Sequence, residues 1–236
     1  MNGYLHVVNI LIHRGANIEA IDDQQRTPLY IATENGHLQV VQFLIGKGAN
    51  VNTVDVKVQF LVSKEANVDA VDVENWTPLH LAFQNGHLQV AQFLISKGAD
   101  VNAAIKTNRT SLHTASQNGH LEIVQFLVNK GANVNAVDVE NRIPLHTASQ
   151  NGHLEVVQFL LNKGADVNAI NKENRTSLHI AAYYGHKNIV KALMDKGANT
   201  NVVDLNNKTP MKIAYKKGHM EIVNLLHNYG THQNNI

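Results

Sequence analysis

Residues Thr77–Ala103 read TPLHLAFQNGHLQVAQFLISKGADVNA. Each part has a local physical reading. Thr77 is a good N-cap because its side chain accepts from an orphan amide, and Pro78 suits the first helical position, where no N–H is needed. Leu79–Asn85 continues that helix for about two turns. Gly86 breaks it. His87–Lys97 makes a second helix, and Gly98 ends it as a left-handed cap. The next stretch, ADVNAAIKTNR from Ala99 to Arg109, crosses over as an extended, hairpin-like finger.

The pattern recurs. Gly-His pairs begin at Gly86, Gly119, Gly152, Gly185 and Gly218, every 33 residues. Gly36 belongs to the series but lies 50 residues before Gly86, and Gly3 lies 33 before Gly36. A fixed period of this length marks a stacked array and overrides any domain count based on length. Cut at a recurring Asp position, the units are 1–21 (partial), 22–54, 55–71 (short), 72–104, 105–137, 138–170, 171–203 and 204–236. The second helix is apolar over a wide arc: Leu121, Ile123, Val124, Phe126, Leu127 and Val128 cannot share one narrow stripe. Such a helix has to be covered on more than one side, which a stack of helix pairs achieves.

These motifs, TPLH, TSLH or a close variant followed by a Gly-His turn in register six times, resemble the ankyrin repeat over essentially the whole chain. The resemblance implies an all-α solenoid of helix-turn-helix units with β-hairpin-like fingers. Departures are local. Tyr30 and Lys212 replace the His, Ser111 and Ser177 the Pro, and Ile143 the Thr. These replacements are expected to loosen individual helix starts.

The short unit is the anomaly. VNTVDVKVQFLV, Val51–Val62, runs straight from finger to second helix. The first helix, the Gly-His turn and the start of the second helix are missing. One helix, roughly Val56–Lys64, is expected to remain. The predicted organisation is an N-terminal block 1–54, a truncated repeat 55–71 that interrupts the solenoid, and a five-repeat array 72–236. Residues 204–236 carry Lys212, Lys216, Lys217, Asn224, His227 and Asn228, the polar character a terminal cap requires. The N-terminal unit lacks a first helix, so Leu5, Val8, Leu11 and Ile12 are expected to expose apolar surface. That end suits a parent that extends further, or self-association.

Net charge is +1 at pH 7 with histidines neutral. No field of one sign favours nucleic acid or an anionic membrane. No apolar run of about 18 residues is present, and the N-terminus lacks a basic segment with a cleavage site. Cysteine is absent, which fits a reducing compartment and excludes thiolate chemistry. A cytoplasmic protein is expected, with nuclear residence or delivery into a host cell as alternatives.

Histidine is the residue that most invites a metal reading, with 14 in the chain. Four stand in the TPLH place (His80, His113, His146, His179) and six follow the turn glycine (His37, His87, His120, His153, His186, His219). The resemblance implies that the TPLH histidines bond backbone and Thr groups within the scaffold. Adjacent copies one helix-packing distance apart, about 8–10 Å, cannot share one ion at bond lengths of about 2 Å. GKGANV, Gly46–Val51, echoes a phosphate loop but follows a helix rather than a strand. No GxSxG or HExxH occurs, and the carboxylates are scattered by the repeat. Neither catalysis nor a cofactor is expected. The sequons at Asn75, Asn108, Asn174 and Asn207 are products of the repeat as well.

Candidate binding residues are those that vary between otherwise similar units. Just before the capping Thr or its replacement stand Arg26, Trp76, Arg109, Arg142, Arg175 and Lys208. They are expected to project one per unit along one edge, and Trp and Arg suit interface hot spots. Trp76, the chain's single Trp, is predicted to be exposed. The resemblance implies that fingertips and first helices line a concave partner-binding face, which places Phe83, Tyr183, Tyr184 and Tyr215 there. It also implies that Asn102 and Asn168, in GADVNA, match a fingertip-loop Asn open to hydroxylation in an animal host. The expected function is a non-catalytic protein–protein interaction module, a scaffold or adaptor. The alternative is the targeting segment of a larger effector, toxin or scaffold.

Overall fold

A computed structural model of the chain describes residues 2–24, 26–52 and 76–233. Among them are 13 helices and no regular strand, only an isolated bridge between Ala104 and Thr110. Two compact units divide the chain, 1–111 and 112–236.

In residues 1–111, α1 (Asn2–His13) is the second helix of the partial first unit. Helices α2 (Pro28–Glu34) and α3 (Leu38–Gly46) form one hairpin, and α4 (Pro78–Gln84) and α5 (Leu88–Ser96) the next. α2 packs on α4, α3 on α5, and α1 on α3. The core between layers is Leu29, Val41, Leu44, Leu79, Phe83 and Leu94, all essentially buried. The predicted caps form. Thr27 Oγ1 accepts from the Tyr30 amide at 3.2 Å, and Thr77 Oγ1 from the His80 amide at 3.4 Å. On α1, Leu5, Val8 and Ile12 are half-buried while Leu11, Tyr4 and Val7 are exposed.

The short unit 55–71 lies outside the described residues, as does its expected helix near Val56–Lys64. The repeats flanking it stack directly on one another. His87 Nε2 donates to the Glu34 carbonyl at 3.1 Å, across 53 positions. Between ordinary neighbours the same bond, His153 to Gln117 at 2.9 Å, spans 36 positions. The sequence period is thus interrupted by 17 residues between two layers that meet as consecutive layers do.

In residues 112–236 the pairs are α8 (Pro144–Asn151) with α9 (Leu154–Asn162), α10 (Ser177–Tyr184) with α11 (Lys187–Asp195), and α12 (Pro210–Lys217) with α13 (Met220–Gln233). They follow α6 (Ser111–Asn118) and α7 (Leu121–Asn129). First helices pack on first helices, α8 on α10 on α12, and second on second, α7 on α9 on α11 on α13. Of the wide arc on α7, Ile123, Val124 and Leu127 are buried, and Leu121, Phe126 and Val128 half-buried. Serine at 111 and 177 still begins its helix at the position proline takes elsewhere. Ile143 cannot cap with its side chain, yet its N–H donates to His146 Nδ1 at 3.1 Å. That half of the cap belongs to His146 and survives loss of the threonine.

Candidate partner-binding face

Each finger is built from its own residues. In residues 138–142 the Asp138 amide donates to the Arg142 carbonyl at 3.0 Å. Asp138 Oδ1 then accepts from the amides of Glu140 and Arg142 at 2.9 and 2.8 Å. Asn141 turns the tip at φ 55, as do Asn108, Asn174 and Asn207 at φ 56–57, a conformation asparagine tolerates better than most residues. Neighbouring fingers join through backbone rungs, from the Lys172 amide to the Glu140 carbonyl and from the Leu205 amide to the Glu173 carbonyl.

The fingertip arginines are consequently held rather than waving. Arg142 Nε and Nη2 clamp Asp138 Oδ2 at 2.9 and 2.8 Å. Arg26 clamps Asp22 in the same fork and also reaches Glu34 at 3.5 Å. Burial pushes the Asp138 carboxyl up, but the Arg142 amide, guanidinium and charge outweigh it and hold the carboxyl below its usual range. The next finger carries Asn171 where Asp138 stands. Its oxygen still accepts the Arg175 amide at 2.9 Å, but it has no charge to offer. Arg175 turns instead to Asp204 in the following finger, at 3.2 Å, and to Glu173 beside it. Asp204 keeps the Lys208 amide, at 3.0 Å, while its free oxygen goes to Arg175. The Lys208 ammonium is left exposed with no ion pair among the described residues.

Two sets of histidines tie neighbouring repeats together, one at the fingers and one at the turns. TPLH-place histidines reach forward: Nε2 of His113, His146 and His179 donates to the carbonyls of Arg142, Arg175 and Lys208, at 2.9–3.2 Å. The fingertip residue is therefore pinned by its backbone while its side chain faces outward. On the other ring edge, Nδ1 accepts the cap amide, Ile143 to His146 and Thr176 to His179. Burial pushes the His80 and His146 imidazoles down to about 4. Turn histidines reach backward: His153, His186 and His219 donate to the carbonyls of Gln117, Gln150 and Tyr183 at 2.9–3.1 Å. Their rings lie over the preceding turn glycine. A Cβ on Gly152 would stand 2.8 Å from His186 Cε1.

Between the fingers of residues 138–175 and the helices α8 and α10 runs a groove of about 360 Å³. It is lined by Glu140, Arg142, Gln150, Arg175, Tyr183 and Tyr184, among others. A second groove, of about 570 Å³, continues past Arg175 and Tyr183 to Lys208, Lys212 and Lys217. Tyr183 and Tyr184 are 36% and 48% exposed and meet edge-on, ring centres 4.9 Å apart. Lys217 Nζ sits 4.0 Å from the centre of the Tyr183 ring. Hydrogen bonding to Lys217, then its charge, holds the Tyr183 hydroxyl below the usual phenol range.

The candidate residues separate into groups. Arg142, Arg175, Tyr183 and Tyr184 share the first groove, and Lys208 lines the second. Tyr215 is 68% exposed, beside Met211 and Lys216. Arg109 is half-buried, and Arg26 belongs to residues 1–111. Two residues are placed differently from expectation. Phe83 is wholly buried between layers, so it is no part of an open face. Trp76 is half-buried rather than exposed, its ring edge-on to His80 with centres 5.8 Å apart. Asn102 and Asn168 are exposed, and Asn168 Oδ1 accepts the Asn199 amide at 2.8 Å. The buried finger aspartates, Asp138 and Asp204, were not singled out above. Their signal was an Asp four residues before the fingertip cation.

No group of three or more His, Cys, Asp or Glu able to hold a metal ion occurs among the described residues. No described helix is long and apolar enough to cross a membrane. A family model described as ankyrin repeats in three copies matches residues 1–55, 52–105, 102–171 and 145–236. No curated protein matches the chain.

Proposed function

This chain belongs to the ankyrin-repeat family, and we propose that it is a scaffold or adaptor that holds a protein partner against the fingers and first helices of residues 138–217. Ankyrin repeats are generally protein–protein interaction modules, on a fold that is typically not catalytic. The observation that carries the reading is the groove in which Arg142 and Arg175, locked by carboxylates, face Tyr183 and Tyr184. Locked guanidinium groups and stiff aromatic rings lose little conformational freedom when a partner settles on them, so contact area converts efficiently into affinity. The arrangement offers donors, ring faces and ring edges.

The test is capture of partners from the source cell followed by cross-linking mass spectrometry. Cross-links concentrated on Lys172, Lys208, Lys212, Lys216 and Lys217 are expected. Cross-links confined to the lysines that close the second helices, Lys130, Lys163 and Lys196, would overturn the proposed face. A Tyr183→Ala, Tyr184→Ala double variant should weaken capture while leaving the melting curve of the array nearly unchanged.

A further inference from the structure

Lys208, Lys212 and Lys216 recur every four residues, so one row runs from the last fingertip along α12. All three are exposed, and none has an ion pair among the described residues. Lys217 lies beside them, over the Tyr183 ring. The nearby carboxylates do not neutralise this row, because Asp204 and Glu173 are both engaged by Arg175. Like charges four apart on a helix repel by a few tenths of a kcal/mol, so the row is not an arrangement that stability alone selects.

The row is also a boundary. On one side lies the groove with Tyr183, Ile213 and Lys217. On the other lies a shallow apolar depression of about 420 Å³ floored by Met211, Tyr215 and Val223. Met211 and Tyr215 are 37% and 68% exposed. Their counterparts Leu178 and Ala182, one repeat earlier, are fully buried beneath the next layer. A cationic ridge with apolar ground along one side is complementary to an acidic segment that also carries apolar side chains.

We propose that the Lys208–Lys217 ridge docks an acidic, amphipathic segment of the partner protein. Its carboxylates sit on Lys208, Lys212 and Lys216, and its apolar side chains enter the Met211–Tyr215 depression. This rests on the protein-binding reading above and adds the chemistry of the partner. A nucleic acid fits less well. Asp204, Glu173 and Glu140 punctuate the adjoining groove, where a continuous phosphate backbone would meet them. Peptide carboxylates can be spaced to avoid them. Electrostatic complementarity of this kind sets encounter rate and partner choice and weakens with salt.

The test uses the whole chain and a fluorescein-labelled synthetic peptide of about fourteen residues, in which Glu pairs alternate with Leu and Phe, read by anisotropy at low and high salt. Controls are the peptide with Ser for Leu and Phe, the peptide with Lys for Glu, and a single-stranded oligonucleotide of equal charge. The acidic peptide is expected to bind, to lose tenfold or more with K212E/K216E, and to weaken with salt and with the Ser replacements. The Lys peptide is expected to bind K212E/K216E better than it binds the natural chain. The milder variants K212Q and K216Q, which keep helix propensity, should each lose about threefold, so a folding defect in the double variant does not decide the matter. Absence of peptide binding, indifference to the lysine variants, or an oligonucleotide that binds as tightly overturns the proposal. Partner capture that survives K212E/K216E, with cross-links still on Lys172, would leave the interaction module standing and remove only the acidic ridge.

Discussion

Lowering the pH from 7 to 5 should weaken this protein by about 2 kcal/mol for each of two histidines. His80 and His146 are buried, and their imidazoles stay neutral in the folded chain down to about 4. An unfolded histidine takes up a proton near 6.5. Because the folded value is the lower one, the unfolded state binds the proton first. The contribution is fully present above 6.5, falls by about 1.4 kcal/mol per pH unit below it, and levels off near 4. Integrated between pH 7 and 5, the difference is about 1.8 kcal/mol per residue. His179 shifts the same way, because burial disfavours its charge. The geometry gives the cause a second face: His146 Nδ1 accepts the Ile143 amide, which a protonated ring cannot do. The carboxyls of Asp22, Asp138, Asp204 and Glu221 lie below their usual range and so contribute only to losses at more acid pH. Urea denaturation at pH 7, 6 and 5 measures the effect directly, and a His146→Gln variant should lose the share belonging to His146. A stability that is flat or rises between pH 7 and 5 would refute the assignment of these rings as buried, neutral acceptors.

Three further outcomes are expected. Leu127→Ala, at a fully buried site on α7, should cost about 2–5 kcal/mol through the cavity it leaves, read by chemical denaturation. Gly185→Ala and Gly197→Ala both place alanine at φ +82, so the backbone penalty of about 1–2 kcal/mol cancels between them. The Gly185 variant should be worse by about 1 kcal/mol, because its Cβ would stand 2.7 Å from His219 Cε1 and displace the bond to the Tyr183 carbonyl. Equal melting temperatures would show that the turn histidine contributes nothing. Deleting Asp55–Val71 restores the 33-residue spacing between Gly36 and Gly86, and it shortens a connection between layers that already stack. The truncated chain should unfold with stability within about 1 kcal/mol of the original, since the entropy of joining two layers that already meet depends only logarithmically on the number of residues between them. A collapse in stability would show that those residues support the stack.

Most of the scaffold was legible because each of its signals is local. Thr-Pro, Gly-His and the closing Gly fix where helices start and stop, and the wide apolar arc demands neighbours on both flanks. The site was legible in place but not in state. Phe83 and Tyr215 occupy the same position of their repeats, yet one is sealed and the other is 68% exposed, because burial depends on which layer lies above. Trp76 leans on His80, four residues on in its own repeat, a rotamer choice that the residue types alone do not announce. The switch of Arg175 from its own finger to Asp204 follows from one amide standing where its neighbour has a carboxylate. Its consequence, a Lys208 with no ion pair among the described residues, appears only once the next finger is in place.

Within residues 112–236 the paired imidazole latches make the junctions between copies chemically alike, one gripping ahead and one gripping behind. A join of that sort does not distinguish which copy arrives, only that it is a copy. Glu34 accepts His87 across the surplus residues with the bond Gln117 offers its immediate successor. Whole copies can therefore be gained, lost or exchanged in descent without redesign of the seam, and variation is free to accumulate at the tips.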